Sequence, residues 1–136
     1  PRARSPGTWI TPAMIAAYER LHALGHAHSI EAWDGDRLAG GIYGVSIGRM
    51  FFGESMFSAS TNGSKVVLLA LCRELAARGH PLLDAQVASD HLSTLGARLM
   101  PRAGFCREVS ALVEGEGDAA SWRLRFPALQ ARDLAR

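Results

Sequence analysis

The order of secondary-structure signals along this chain predicts the α+β class, with helices packed on a mostly antiparallel sheet. Three observations carry that expectation. A capped helical pattern stands near the start, three alternating segments joined by turn signals follow, and a nearly continuous apolar run of helical length fills the middle.

The elements come in order. Pro1 to Gly7 reads as an extended lead-in with two prolines and two arginines. Thr11-Pro12 is a helix start, with threonine as N-cap and proline at the first helical position. Met14, Ile15, Tyr18, Leu21 and Leu24 follow at helical spacing, and Gly25 ends that helix. Ala27 to Trp33 alternates as a strand, and Asp34-Gly35-Asp36 is a tight-turn signal into a second strand, Arg37 to Ile47. Gly40, Gly41 and Gly44 lie inside that strand, where glycine weakens pairing unless a bulge or a close approach requires it. Gly48 turns the chain into a third strand, Met50 to Phe57.

After a polar loop, Ser64 to Arg78 is apolar nearly all round, which predicts a buried central helix ended by Gly79. Leu82 to Val87 reads as a short strand, Asp90 as the cap of a helix from His91 to about Leu99, and Phe105 to Val113 as a last alternating strand after the break at Pro101. Among common folds with this order, the N-acetyltransferase-like fold fits best. Glu114 to Ala120 reads as a linker, and Trp122 to Arg136 as a loosely specified tail.

With 136 residues, 48% hydrophobic and 21% charged, the chain can close one substantial core. A net charge of +2 permits a nucleic-acid partner without arguing for one. Lys65 is the only lysine among the cations, and arginine is the better residue for forked phosphate contacts, although a genomic bias toward arginine codons explains the composition equally well. Cys72 and Cys106 sit in apolar settings and read as small buried hydrophobes in a reducing compartment. No apolar run reaches membrane-spanning length, so a soluble cytoplasmic protein without a membrane partner is expected. The start at Pro1, without methionine, suggests a fragment.

Several residues carry chemistry. The acetyltransferase fold usually binds a pyrophosphate at its central helix through an Arg/Gln-x-x-Gly-x-Gly/Ala loop. The matching stretch here, Ser60-Thr61-Asn62-Gly63-Ser64-Lys65, has one glycine and no leading arginine, which argues against coenzyme A. Asp84-Ala85-Gln86 is expected on a strand, where alternation would place both polar side chains on one face. Two readings are open for the pair: bonds to neighbouring loops, or a carboxylate that receives or orients a proton beside an amide that places the reacting group. Glu54, within Gly53-Glu54-Ser55-Met56-Phe57, is either a solvated strand-end acid or the recogniser of a cation beside an apolar pocket. His26 and His28 flank Ala27, but no third metal ligand stands at a recognisable spacing, so ordinary structural roles are expected for them and for His22, His80 and His91.

Taken in order, these stretches closely resemble the bacterial leucyl/phenylalanyl-tRNA–protein transferase family. The resemblance runs through Gly7-Thr8-Trp9-Ile10-Thr11, Gly25-His26-Ala27-His28-Ser29-Ile30-Glu31, Gly40-Gly41-Ile42-Tyr43-Gly44, Phe52-Gly53-Glu54-Ser55-Met56-Phe57-Ser58, Asp84-Ala85-Gln86 and Pro101-Arg102. It implies a coenzyme-free enzyme on the acetyltransferase-like fold that moves Leu, Phe or Met from aminoacyl-tRNA to the N-terminal Lys or Arg of acceptor proteins, marking them for N-degron proteolysis. It also implies Asp84 and Gln86 as the catalytic pair and Glu54 as the contact to the basic acceptor side chain. Ile42, Phe51, Met56, Leu71 and Leu75 would line the pocket for the transferred side chain, each being equally a plain core position. Trp9 and Tyr18 would stack on the terminal adenosine, or be buried in the core.

On this reading residues 1–6 lead in from an upstream domain that relatives carry, 7–113 form the catalytic domain, and 114–136 are linker and tail. No cofactor and a monomeric state are expected. Gly63 stands where relatives commonly have alanine, a change expected to loosen the helix start. Two alternatives stand beside the transferase: an acyl-CoA N-acyltransferase on the same fold, and a non-catalytic module that binds basic N-termini or tRNA ends.

Overall fold

A computed structural model of the chain describes residues 10–115 and 129–135. The elements are α1 (Pro12–Ala23), β1 (Ala27–Asp34), β2 (Arg37–Ile47), β3 (Met50–Ser58), α2 (Gly63–Ala77), β4 (Leu82–Asp84), α3 (Asp90–Thr94), α4 (Arg102–Val113) and a 3-10 turn, Ala131–Ala135. The class is α+β as expected, with one sheet of order β1-β2-β3-β4 among the described residues. β1, β2 and β3 form an antiparallel meander, and β4 joins β3 in parallel, so the sheet is mixed.

Local chemistry explains the elements. The Thr11 side chain accepts from the Met14 N–H at 3.3 Å, and Pro12 supplies the helical φ at no cost in hydrogen bonds. Gly25, at φ +87°, closes α1 with the His26 N–H on the Leu21 carbonyl. Gly79, at φ +71°, ends α2 in the same way, with the His80 N–H on Leu75. Gly35 and Gly48 turn the two hairpins at positive φ.

α2 lies on one sheet face, where Ile30, Ile42, Phe51, Val67, Leu68, Ala70, Leu71 and Leu75 form the core. It is not buried all round: Leu69 and Cys72 point outward. Leu129 and Leu134 pack against the same core, so part of the segment read as a loose tail is anchored. The start of α2 is also tighter than expected. A Cβ at Gly63 would stand 2.0 Å from the Ala39 carbonyl oxygen, and one at Gly40 2.5 Å from the Gly63 backbone. Two facing glycines let helix and strand backbones touch, which pins the helix start rather than loosening it.

Four sequence readings fail. β4 ends at Asp84, three residues before the expected end, because the backbone enters the left-handed region at Gln86, φ +61°. The following helix is capped by Ser89, whose side chain accepts from the Leu92 N–H, and it stops at Thr94 because Gly96 sits at φ +93°. The expected strand from Phe105 is instead α4. Phe105, Val109 and Leu112 recur at helical as well as near-alternating spacing, and Pro101 opens the helix. Finally, both cysteines are exposed rather than buried.

Candidate functional site

The site is assembled where β3 and β4 part company. β4 pairs with β3 only through Met50–Leu82, Phe51–Leu83 and Phe52–Asp84. Leu83 packs against the core, so alternation turns Asp84 to the opposite face, the one that carries Tyr43 and α1. Asp84 Oδ1 accepts from the Gln86 backbone N–H at 2.8 Å, a turn in which a carboxylate holds the chain two residues on. The Gln86 side chain then reaches back, and its Nε2 donates to the Gly53 carbonyl at 2.9 Å. The two residues are therefore brought together by a side-chain-stabilised turn, and not by lying on one face of a strand.

Glu54 follows Gly53, so Gln86 is fastened to the peptide unit that precedes the second acid. In the β2–β3 ladder Tyr43 pairs with Ser55 and Gly44 with Gly53, leaving Glu54 as the extra residue of a bulge. A bulge re-aims a side chain that regular pleating would place elsewhere. Here it sends Glu54 toward α1, where its charge acts on the Tyr18 phenol. Gly44 permits the irregularity, since a Cβ there would lie 2.2 Å from the Phe52 carbonyl oxygen.

Tyr18 is half-buried and sits edge-on to Tyr43, with ring centroids 5.2 Å apart and planes at 84°. Burial, followed by the Glu54 carboxylate, pushes the Tyr18 phenol up to about 12. The Tyr43 phenol is also raised, first by burial and then by Glu54. Both tyrosines stay protonated at neutral pH and act as polar walls around one carboxylate.

The apolar positions form one body on the other face. Ile42, Phe51, Leu71 and Leu75 are core residues, and Met56, paired with Ile42, packs against them. An open groove of about 410 Å³ borders this body at Leu75 and Leu83, lined further by Arg49, Cys72, Gly79 and His80. Trp9 lies outside the described residues. Sequence reasoning missed Tyr43 as a neighbour of Glu54, and the signal was present: it is one of only two tyrosines and lies within the Gly40-Gly41-Ile42-Tyr43-Gly44 stretch of the resemblance.

The N-terminus of α2 is not open to an anion in the usual way. The Gly63 N–H is bonded to the Ser60 carbonyl and the Ser64 N–H to Ser58 Oγ, while the Gly63 backbone is pressed against Ala39 and Gly40. The first amides that a pyrophosphate would use already have partners.

Fold and site together define an α+β domain that presents two carboxylates and an amide along a strand edge, backed by an apolar core and flanked by two tyrosines. The family model for leucyl/phenylalanyl-tRNA protein transferases matches residues 1–110, and the chain belongs to that family. It is similar to the leucyl/phenylalanyl-tRNA–protein transferase of Xanthomonas oryzae pv. oryzae, with 54% identity over 134 residues, 98% of this chain and 54% of the relative. The corresponding protein of Xanthomonas euvesicatoria pv. vesicatoria is 57% identical over 126 residues, 93% of this chain and 50% of the relative. That of Tolumonas auensis is 46% identical over 123 residues, 90% of this chain and 53% of the relative. The chain thus spans about half the length of the curated relatives it matches.

Proposed function

We propose that this chain carries the reaction centre of an aminoacyl transferase, which moves Leu, Phe or Met from the 3′ end of a charged tRNA to the N-terminal Lys or Arg of an acceptor protein. The reading extends to a monomeric cytoplasmic protein, an N-acetyltransferase-like fold used without coenzyme A, and a role in N-degron proteolysis. The observation that carries it is the chain of contacts from Asp84 through Gln86 to the peptide unit before Glu54. It joins the two residues assigned to the reaction with the one assigned to the acceptor cation.

The chemistry demands little of the protein. An α-amine with pKa near 8 is partly neutral at physiological pH, and an aminoacyl ester is already activated. The amine nitrogen forms the new C–N bond, the C–O bond to the ribose breaks, and the amine proton ends on the ribose hydroxyl. Gln86 has its Nε2 committed to Gly53, which leaves its Oε1 to accept from the attacking amine and aim the lone pair. Asp84 holds Gln86 in place. Alignment of this kind supplies roughly 7–11 kcal/mol when the reacting atoms are well oriented.

Glu54 takes the acceptor side chain, and the pairing is local: the cation and the α-amine it accompanies are both read within one strand edge. Ile42, Phe51, Met56, Leu71 and Leu75 receive the transferred side chain by yielding at the border of the core. Trp9 and the open side of Tyr18 form the platform for the terminal adenosine. The occupied amides at the start of α2 support a coenzyme-free acyl donor over an acyl-CoA.

The experiment is a transfer assay with radiolabelled Phe-tRNA and a Lys-starting peptide. It is run on this chain and on a version extended upstream to the length of its relatives. Labelled peptide that disappears on acetylating the acceptor α-amine supports the reading. Binding of both substrates without transfer in the extended chain would make it a recognition module, and tight binding of coenzyme A would favour the acyl-CoA reaction.

A further inference from the structure

The sheet face away from α2 carries an ordered carboxylate that the reaction does not use. Glu31 stands on β1, where Ser29 Oγ donates to its Oε1 at 3.2 Å and Trp33 Nε1 donates to its Oε2 at 3.2 Å. Ile30, between Ser29 and Glu31, is in the core under α2, so alternation turns the two polar side chains outward, and the indole bond keeps Trp33 with them. Across the sheet Glu31 pairs with Gly41, and Gly41 pairs with Phe57. The Phe57 ring fills the space that Gly41 leaves: a Cβ there would stand 2.6 Å from Phe57 Cε1. The ring is thus laid over β2 toward Glu31, yet Phe57 is still 48% exposed and Trp33 58%. A carboxylate aimed by two donors, with an indole along the strand and a phenyl ring across it, suits a cation. The hairpin around it is acidic although the whole chain is basic: from Ala27 to Ile47 it carries Glu31, Asp34 and Asp36 against Arg37 alone.

We propose that Glu31, Trp33 and Phe57 form a second cation subsite, which takes a Lys or Arg side chain downstream of the acceptor's N-terminal residue. The inference rests on the assignment of Glu54 to the first basic side chain. Ser29 and Trp33 use one lone pair on each Glu31 oxygen, and the others stay open to a charged donor. The two rings receive the cation on their faces, a contact open to guanidinium and ammonium alike. Glu54 and Glu31 share this side of the sheet, because Tyr43, which stands opposite the bulge, pairs with Ser29. Glu31 lies two strand spacings across from β3 and level with Phe57, three residues beyond Glu54. The two carboxylates are thus roughly 14 Å apart, backbone to backbone. An extended chain rises about 3.3 Å per residue, so the fifth acceptor residue reaches Glu31 when the first meets Glu54. Unpaired bases would stack on the same rings, but their phosphates would meet Glu31, Asp34 and Asp36, and charge therefore favours the basic peptide.

The test titrates this chain with three pentapeptide amides bearing a free α-amine: Arg-Ala-Ala-Ala-Ala, Arg-Ala-Ala-Ala-Arg and Arg-Arg-Ala-Ala-Ala. Calorimetry gives the affinities, and the Trp33 indole N–H resonance reports the subsite directly. Arginine at the fifth position should tighten binding about three- to tenfold over the first peptide, the size of one exposed ion pair joined to a cation–π contact. The third peptide, equal in charge but wrongly spaced, should gain less than about twofold and leave the indole resonance in place. Glu31→Gln keeps the shape of the side chain and removes its charge, and Phe57→Leu keeps Gly41 covered without a ring. The first variant should abolish the gain and the second at least halve it, with binding of the first peptide unchanged in both. An equal gain for the two spacings, or a gain that survives Glu31→Gln, overturns the subsite and leaves the acceptor assignment standing. Native-like binding of the first peptide by Glu54→Gln overturns that assignment, and binding of no peptide to the native chain overturns both. If the trinucleotide cytidylyl-cytidylyl-adenosine moves the Trp33 indole resonance while no peptide does, the face is a platform for unpaired RNA and the subsite is overturned.

Discussion

Replacing Asp84 with alanine should cut transfer sharply while hardly changing stability, because the residue acts on geometry through a balance of small terms. Gln86 occupies the left-handed region at φ +61°, which costs a non-glycine residue about 1–2 kcal/mol. Two exposed hydrogen bonds oppose that cost: the Gln86 N–H on Asp84 Oδ1 at 2.8 Å and Nε2 on the Gly53 carbonyl at 2.9 Å, each contributing about 0.5–1.5 kcal/mol. With both present the turn is held; with one gone the strain matches or exceeds what remains, and the loop relaxes into an ordinary conformation. Unfolding free energy should therefore change by less than about 1 kcal/mol, since the strain leaves together with the bond. Transfer should fall about a hundredfold or more, the usual effect of a misplacement near 1 Å.

Asp84→Asn separates the two roles a carboxylate can play. It keeps an oxygen for the Gln86 N–H and drops the charge, so it should retain transfer within about tenfold of the native rate if Asp84 acts by position. Single-turnover transfer in the chain extended to the length of its relatives measures the rates, and the amide resonances of Gln86 in this chain report the turn. Full activity in Asp84→Ala would remove Asp84 from the chemistry. Equal losses in the alanine and asparagine variants would refute the positional argument and hand the role to the charge.

Other expectations are more local. Gly40→Ala would place a Cβ 2.5 Å from the Gly63 backbone and should cost about 1–3 kcal/mol, read as a lowered midpoint in urea unfolding. Leu71→Ala removes a fully buried core side chain and should cost about 2–5 kcal/mol by the same measure. Tyr18 and Tyr43, both raised above 10.0, favour the protonated form in the folded state. Their contribution to stability is complete below pH 10 and is lost as pH rises toward 12, so absorbance at the tyrosinate band should develop late and together with alkaline unfolding. His80 is held below its ordinary value of 6.5 by burial and by the charges of Arg78 and Arg49. Its contribution is present above pH 6.5 and lost as pH falls below it, so acid melting temperatures should fall less steeply in His80→Gln than in the native chain.

The middle of the fold was plainly written in the chain. Thr11-Pro12, Gly25, the Asp34-Gly35-Asp36 turn, Gly48 and Gly79 are local devices, and local devices set where α1, β1, β2, β3 and α2 begin and end. The site residues were legible mainly through their likeness to a family, since a carboxylate and an amide two residues apart have many structural uses. The second half of the chain read less well for a physical reason. Segments such as Phe105 to Val113 satisfy two periodicities at once, and what they pack against decides between them.

From residue order alone came the α+β class, the apolar body under the sheet, and the acid and amide that merit attention. Tertiary structure alone decided that Asp84 and Gln86 meet through a turn, that a bulge aims Glu54 at Tyr18, and that facing glycines seal the start of α2. The division follows from range: caps and turns act over three or four neighbours, whereas a bulge, a left-handed turn and a backbone contact are set by partners 24 to 36 positions away, as Tyr18 is from Glu54 and Gly63 from Ala39.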